Sequence, residues 1–351
     1  MNHDGLSYPF AERTPESGSS IEVIPGVRWL RMALPFALNH INLWLLQDHV
    51  DGRDGWTVID CCIDHPQSRD EWERIFCTQL QGLPVVRVLV THMHPDHIGL
   101  AHWLCSRWNV PLWISAADYL QASISTESAF GFDGDRAARF FQAHGLVDPE
   151  ALDQIRARST YYSNLVPALP QSYRRLLDGM RLQIGPHTWQ CIAGYGHAPE
   201  HMALHCASLG VLISGDMVLP RISTNVSVYE SEPEADAVKL FTDSLQRFQS
   251  IPAETLVLPS HGLPFTGLHT RIKALSTHHE ERLNELMAAC VERPLNAHDA
   301  MQVLFRREMN LHQTTFAMGE SIAHLNRLWH EGRLHRIQSA EGIFRFHHPP
   351  T

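Results

Sequence analysis

Four side chains able to bind a metal ion, His92, His94, Asp96 and His97, fall within six residues in the stretch Thr91-His92-Met93-His94-Pro95-Asp96-His97-Ile98-Gly99. On an extended backbone residues two apart point to the same side, so His92 and His94 face one ion, while Asp96 and His97 can turn toward a second. Three further segments carry the same residue types: Gly196-His197-Ala198-Pro199-Glu200-His201, Ser214-Gly215-Asp216 and Ser260-His261-Gly262. Asp60 adds a fourth. Neutral imidazoles mixed with carboxylates suit zinc first, with iron or manganese also compatible. Two divalent ions sharing a water would lower its pKa toward neutrality and polarise a carbonyl or phosphoryl oxygen opposite. The implied chemistry is hydrolysis by a hydroxide bridging two metal ions, with no serine nucleophile required. Asp96 is the candidate catalytic side chain, able to orient or relay a proton as well as to bind metal.

Such a site needs loops gathered at strand ends, and the hydrophobic pattern supplies them. The first cluster follows Val85-Val86-Arg87-Val88-Leu89-Val90, the continuous apolar run of a buried strand. His197 follows the run Trp189 to Ala193, Asp216 closes Val211 to Ile213, His261 closes Leu256 to Leu258, and Asp60 ends Trp56 to Ile59. All five positions lie where a loop leaves a strand, so one edge of a sheet sandwich can bring them together. The runs Ile21 to Ile24, Val27 to Met32 and Ile41 to Gln47 read as antiparallel strands. Gln67 to Gly82 has helical spacing, which makes the class α/β. Residues 117–175 are mostly helical in period, with Phe140, Phe141, Tyr161 and Tyr162 read as packing aromatics that are also available to a pocket. Helices are expected at Ala235 to Phe248 and Thr270 to Val291, with a boundary at Pro294. Three short helices, Asp299 to Phe305, Phe316 to Leu325 and Asn326 to Glu331, precede two strands around Gly332 and Phe346. That order is a winged-helix pattern. The domain plan is a flexible arm over 1–20, a catalytic domain over 21–270, a connecting helix over 271–295 and a winged-helix-like domain over 296–351.

Composition narrows the class further. A hydrophobic content of 44% excludes a disordered or collagen-like chain. A net charge of -10 argues against a nucleic-acid coat, because phosphate binding draws on Lys and Arg. The seven cysteines form no CxxC pair, which fits reduced thiols and a cytoplasmic location. No basic start followed by an apolar run marks a signal peptide, and the most apolar window, Trp29 to Leu46, is broken by Arg31, Asn39, His40 and Asn42, so no membrane partner is expected. The 24 histidines are roughly three times an average share, and that excess first points toward metal.

The ordered set H-x-H-x-D-H, later His, later Asp, later His over residues 21–270 resembles the metallo-β-lactamase fold superfamily. The resemblance implies an αββα sandwich with two metals at one edge. It implies that His92, His94 and His197 hold the first metal, that Asp96, His97 and His261 hold the second, and that Asp216 bridges both. Asp60 then orients a ligand instead of binding metal, and His201 is a supporting partner or a substrate contact. The well-known zinc β-lactamases carry cysteine at the position of Asp216, so no antibiotic-hydrolysing activity is implied. Oxygen-reducing flavodiiron proteins carry glutamate at the position of His94, which favours hydrolysis here. Persulfide dioxygenases keep a similar histidine frame around one iron. The family's usual Asp-Thr-Gly is Asp60-Cys61-Cys62 in this chain, with both cysteines expected to pack.

Gly196 to His201 together with the tail resembles a subgroup that includes glyoxalase-II-like thioesterases and an endoribonuclease-like branch. The implied substrate is a small ester or thioester. A phosphodiester or RNA is the alternative, and a metal-binding regulator acting through the winged helix is a third. The tail offers Glu320, His324, Asn326 and Arg327 but no Lys/Arg row, so packing or homo-oligomerisation is favoured over nucleic-acid binding. The stretch from Asp216 to His261 is too short for the cap domain inserted in one nuclease branch. Arg221, Ser223, Thr224 and Asn225, and His40 before an early strand, are candidate substrate contacts. Arg174, Arg175 and Lys273 are weaker candidates for an anionic carrier. His278 and His279 read as surface or supporting residues.

Overall fold

The computed structural model describes residues 2–3, 5–11, 13–127, 134–306 and 308–349. Seven strands form the first sheet in chain order: Ile21–Ile24, Val27–Ala33, His40–Val50, Arg53–Ile59, Val85–Leu89, Leu112–Ser115 and Tyr173–Leu176. The first four pair antiparallel and the last three add in parallel. Val85–Leu89 lies among parallel neighbours and is buried along its whole length, which is why its sequence is a continuous apolar run. The second sheet has five strands, Arg181–Ile184, His187–Gly194, His201–Cys206, Val211–Gly215 and Leu256–Pro259, antiparallel except for the last pair.

Residues from both sheets, among them Trp29, Trp44, Leu89, Trp189, Met202, Ile213 and Leu258, share one apolar cluster between the layers. A second cluster seats the helices Pro66–Thr78 and Ala101–Trp108 on the outer face of the first sheet, and a third covers the second sheet. The result is the helix–sheet–sheet–helix sandwich that the sequence pattern implies.

Three expectations are corrected. The segment 1–20 is not a loose arm throughout: Leu6 and Tyr8 are buried, and Ser7 bridges to Thr266 through backbone hydrogen bonds. The apolar side chains of Leu6 and Tyr8 make this segment part of the core. The two helices expected at 316–331 are one continuous helix, Leu311–His330, which Asn310 starts with a capping box. The connecting helix runs Leu268–Glu292 and stops two residues before Pro294. It shares one apolar cluster with Phe241 and Leu245 on one side and Met318 and Leu325 on the other. The helices Leu268–Glu292, Ala297–Leu304 and Leu311–His330, with the hairpin of His335–Gln338 and Phe344–His347, therefore rest on the sandwich without a core of their own. Among the described residues no helix is long and apolar enough to cross a membrane.

Candidate metal centre

His92, His94 and His97 stand just beyond Val85–Leu89, His197 beyond His187–Gly194, Asp216 after Val211–Gly215 and His261 after Leu256–Pro259. Their ligand atoms converge in three overlapping groups: His92, His94 and His197; His92, His97 and Asp216; and Asp96, His97 and His261. His92 Nε2 lies 2.9 Å from His94 Nδ1 and 3.2 Å from His197 Nε2. Asp216 reaches both halves. Its Oδ2 is 3.4 Å from His197 Nε2, while its Oδ1 is 3.6 Å from His97 Nε2 and 3.5 Å from His261 Nε2. Asp96 Oδ2 completes the second half at 3.4 Å from His261 Nε2. Tetrahedral coordination with bonds of about 2.0–2.1 Å separates ligand atoms by roughly 3.3 Å, so these spacings fit shared ions.

Three of the imidazoles are aimed by a bond at the other ring nitrogen. His97 Nδ1 donates to Asp60 Oδ2 at 2.8 Å, His197 Nδ1 to the Asn225 carbonyl at 2.7 Å and His261 Nδ1 to the His40 carbonyl at 2.8 Å. Each bond fixes the tautomer that leaves Nε2 free to face the cluster. Asp60 also accepts from the Thr91 backbone N–H and hydroxyl, and holds φ at +62° to do so. A left-handed aspartate is strained, and here the strain is matched by three bonds at the site.

The two halves differ in charge. Burial and then the neighbouring imidazoles push the His92 ring well below its ordinary value and hold His94 down at about 3, so these rings are neutral donors. Burial alone would also lower His261, yet the Asp216 and Asp96 carboxylates outweigh it and raise that ring to about 10. His97 is raised in the same way by Asp60, Asp96 and Asp216. Buried His97 Nε2 and Asp216 Oδ1 have no hydrogen-bond partner. Orphaned lone pairs of this kind beside paired carboxylates are what a cation would satisfy, so the residues present fit divalent metal.

The remaining expected residues divide by position. His201 is buried, and its Nε2 accepts the Asp216 backbone N–H at 3.1 Å. Gly215 makes that possible: it has φ +54°, and a Cβ there would stand 2.1 Å from His201 Nε2. His40 Nε2 accepts the Gly262 N–H. Thr224 donates to the Asp216 carbonyl, and Asn225 contributes the carbonyl described above. Arg221 is exposed and stands over the Tyr8 ring, while Ser223 is only half-buried. No contact brings either to the cluster. Arg175 and Lys273 are exposed, and Arg174 lies over Trp113. Cys61 and Cys62 are buried with their thiols pushed up, the latter to about 12, and they pack. Phe140, Phe141 and Tyr162 are core residues. His279, read as a surface or supporting residue, is buried against His324 at 3.1 Å and so is not at the surface.

Two residues escape the sequence reading. Buried Asp118 accepts the backbone N–H groups of Met93 at 2.8 Å and Glu200 at 2.7 Å, tying two ligand loops together. Burial raises its carboxyl to about 6. Ser115-x-x-Asp118 after a strand signals a helix start, but not this reach. Asn42 donates to the Pro259 and Gly262 carbonyls and so fastens the first sheet to the His261 loop.

A helix–sheet–sheet–helix sandwich with a His/Asp cluster at one sheet edge defines a class of metal-binding proteins. Residues 38–261 match the family model described as the metallo-beta-lactamase superfamily, and residues 283–349 match one described as metallo-beta-lactamase-like, C-terminal domain. The chain belongs to the metallo-beta-lactamase superfamily, whose members bind divalent metals, and is a metallo-hydrolase of that family. It is similar to the probable metallo-hydrolase YqjP of Bacillus subtilis, at 26% identity over 85% of this chain and 90% of that protein. Among solved structures it is similar to a beta-lactamase domain protein from Burkholderia ambifaria, with a TM-score of 0.93 and 52% identity over 98% of each chain. It is also similar to a metallo-beta-lactamase family protein from Thermus thermophilus, with a TM-score of 0.77 and 26% identity over 93% of this chain and all of that one.

Proposed function

We propose that the protein is a dinuclear metal hydrolase of a small ester or thioester. The observation that carries this reading is the division of the Asp216 carboxylate, one oxygen toward His197 and the other toward His97 and His261. In this reading His92, His94 and His197 hold one ion, Asp96, His97 and His261 the other, and Asp216 bridges them. Zinc suits these donors first, with iron or manganese compatible. When bound, two such ions supply a Lewis acid for the substrate oxygen and bring the pKa of water toward neutrality.

The chain's own residues do the rest. Asp60, the Asn225 carbonyl and the His40 carbonyl hold three rings in the tautomer that presents Nε2. Asp96 is the most open carboxylate of the cluster, its side chain 18% exposed, and in this reading it orients or relays a proton as well as holding its ion. The winged-helix-like tail serves packing: His324 and Asn326 are buried, Asn326 donates to the Pro233 carbonyl and Arg327 pairs with Asp236. Those side chains are spent within the protein, which favours a small-molecule substrate over a nucleic-acid partner.

Elemental analysis tests the count, with two ions per chain expected and one ion or none contradicting it. Turnover of acyl thioesters or oxygen esters by zinc- or manganese-loaded protein, without turnover of bis-p-nitrophenyl phosphate, supports the substrate class. The opposite selectivity transfers the site to the phosphodiester reading.

A further inference from the structure

One guanidinium near the metal centre has no acidic partner among the described residues. Arg158 is half-buried, and among the described residues no carboxylate pairs with it. Its Nη2 bonds to His312 Nδ1 at 2.8 Å, its Nη1 donates to the Thr315 hydroxyl at 3.4 Å, and its Cζ stands 4.4 Å from the centre of the Tyr161 ring. Neutral partners fix the fork, and none of the described residues compensates its charge. Arginine held this way is preorganised to bind a planar anion through two parallel bonds.

Two independent paths place this group at the cleft. On one side, the short helix Tyr161–Leu165 packs on the turn Pro95–Ile98 that carries Asp96 and His97, and the Tyr162 hydroxyl donates to the Met93 carbonyl at 2.6 Å. On the other, His312, Thr315, Phe316 and Gly319 follow helical spacing along one face of Leu311–His330. That face lies against the loop whose Asn225 carbonyl holds His197. The Val228 N–H donates to the Gly319 carbonyl at 3.1 Å, and the Phe316 carbonyl is 3.5 Å from the Ser227 hydroxyl. Phe36, from the loop leading to His40, stacks on His312 at 6.2 Å. The first two turns of the C-terminal helix thus span from the Arg158 side to the His197 side, with Phe36, Tyr161 and the exposed Phe316 as apolar walls.

We infer that this wall is a substrate-recognition subsite in which Arg158, held by His312 and Thr315, binds a carboxylate or phosphate on the substrate while the aromatic side chains cover its apolar chain. The inference rests on the ester or thioester reading and narrows it to anionic substrates. The anion can sit on the acyl group or on the departing thiol, and both sources offer Arg158 the same chemistry.

The test compares kcat/KM for three thioesters: glutaryl and pentanoyl N-acetylcysteamine, and the pentanoyl thioester of 3-mercaptopropionate. The metal-loaded protein is expected to prefer one anionic substrate over neutral pentanoyl N-acetylcysteamine by roughly ten- to hundredfold, and which one identifies the side that carries the charge. Arg158→Gln brings that ratio close to one, chiefly through KM, and Arg158→Lys keeps part of it. Both rates come from one preparation, so any unfolded fraction cancels from the ratio. A preference that survives Arg158→Gln, or a protein without preference, overturns the inference and leaves the hydrolase reading intact. Absence of any ester or thioester turnover removes the ester or thioester reading instead. Thermal shift with glutarate then decides the subsite: stabilisation lost in Arg158→Gln supports it, and equal or no stabilisation in the two proteins overturns it.

Discussion

In the proposed two-ion site, Asp60 sets the behaviour of the ligand His97 without itself binding metal. It takes the Nδ1–H of His97 and the N–H and hydroxyl of Thr91. Asp60→Asn keeps the shape but removes the charge and puts an N–H₂ group where one of three donors must be accepted. Metal affinity should fall about ten- to hundredfold, with one ion lost before the other on titration with a chelator. Simultaneous, unchanged release of all metal would contradict the role. The same carboxylates predict a pH effect. Because Asp216 and Asp96 raise His261 to about 10 and His97 is raised too, both rings carry protons at neutral pH in the metal-free chain. A divalent ion must displace those protons. Loading should therefore release protons into the buffer, and apparent affinity should climb from pH 6 toward 9 as the cost of deprotonation falls. Calorimetry in buffers of different ionisation enthalpy reads this directly, and a heat independent of buffer would contradict it. His92, His94, Asp96 and His97 were legible because their spacing is local. Asp118 was not, since its two backbone partners lie 25 and 82 residues away and only the fold brings them to it. Asp118→Asn, which must turn an N–H₂ toward one of those donors, should cost roughly 1–3 kcal/mol in urea unfolding. A stability equal to that of the unaltered protein would show that the loops are held otherwise.

The strands announced themselves because burial on both faces leaves a continuous apolar run, as in Val85–Leu89, and ligand positions at their ends followed from that. The C-terminal helix was harder to read. Its sequence reads as two short helices meeting at Leu325 and Asn326, in place of the single Leu311–His330 in which Asn326 is buried and donates to the Pro233 carbonyl. Gly319, within the first of those two, marks a contact. A Cβ at Gly319 would come within 2.9 Å of Ser227 Cβ and Oγ and 3.3 Å of the Val228 carbonyl. Alanine normally stabilises a helix interior by about 1 kcal/mol relative to glycine. Here Gly319→Ala must push the helix from the loop that holds His197 and strain the Val228 to Gly319 hydrogen bond, an overpacking cost of typically about 1–3 kcal/mol. The expected net result is a lower melting temperature and a weakened kcat/KM. A rise in melting temperature with unaltered kinetics would mean that the helix does not need this close approach.

At the scale of the whole molecule, the boundary at Pro294 marks a turn in the chain and not the edge of an independent unit. Sequence composition placed a break there because proline ends a helix, but composition has no access to which apolar faces meet. In the structure Phe241, Leu245, Leu275 and Leu286 lie in the same cluster as Met318, Ile322, Leu325 and Leu328, all almost completely buried. The helix Leu311–His330 packs on both Ala237–Arg247 and Leu268–Glu292. Each large apolar side chain returned to water forfeits about 1.5–3 kcal/mol, and four of them together approach or exceed the roughly 5–15 kcal/mol by which a typical domain is stable. Deleting residues 294–351 should therefore leave no cooperatively folded catalytic fragment. Circular dichroism with heating should show a broad transition or none, and the fragment should aggregate and retain little metal, because the loop at Asn225 loses the helix that backs it. A soluble fragment with a sharp transition and full metal content would overturn this, and would assign the tail to substrate recognition alone. The expected outcome makes one hydrophobic core answerable both for stability and for the position of His197, so that folding of the tail and assembly of the metal centre are a single event.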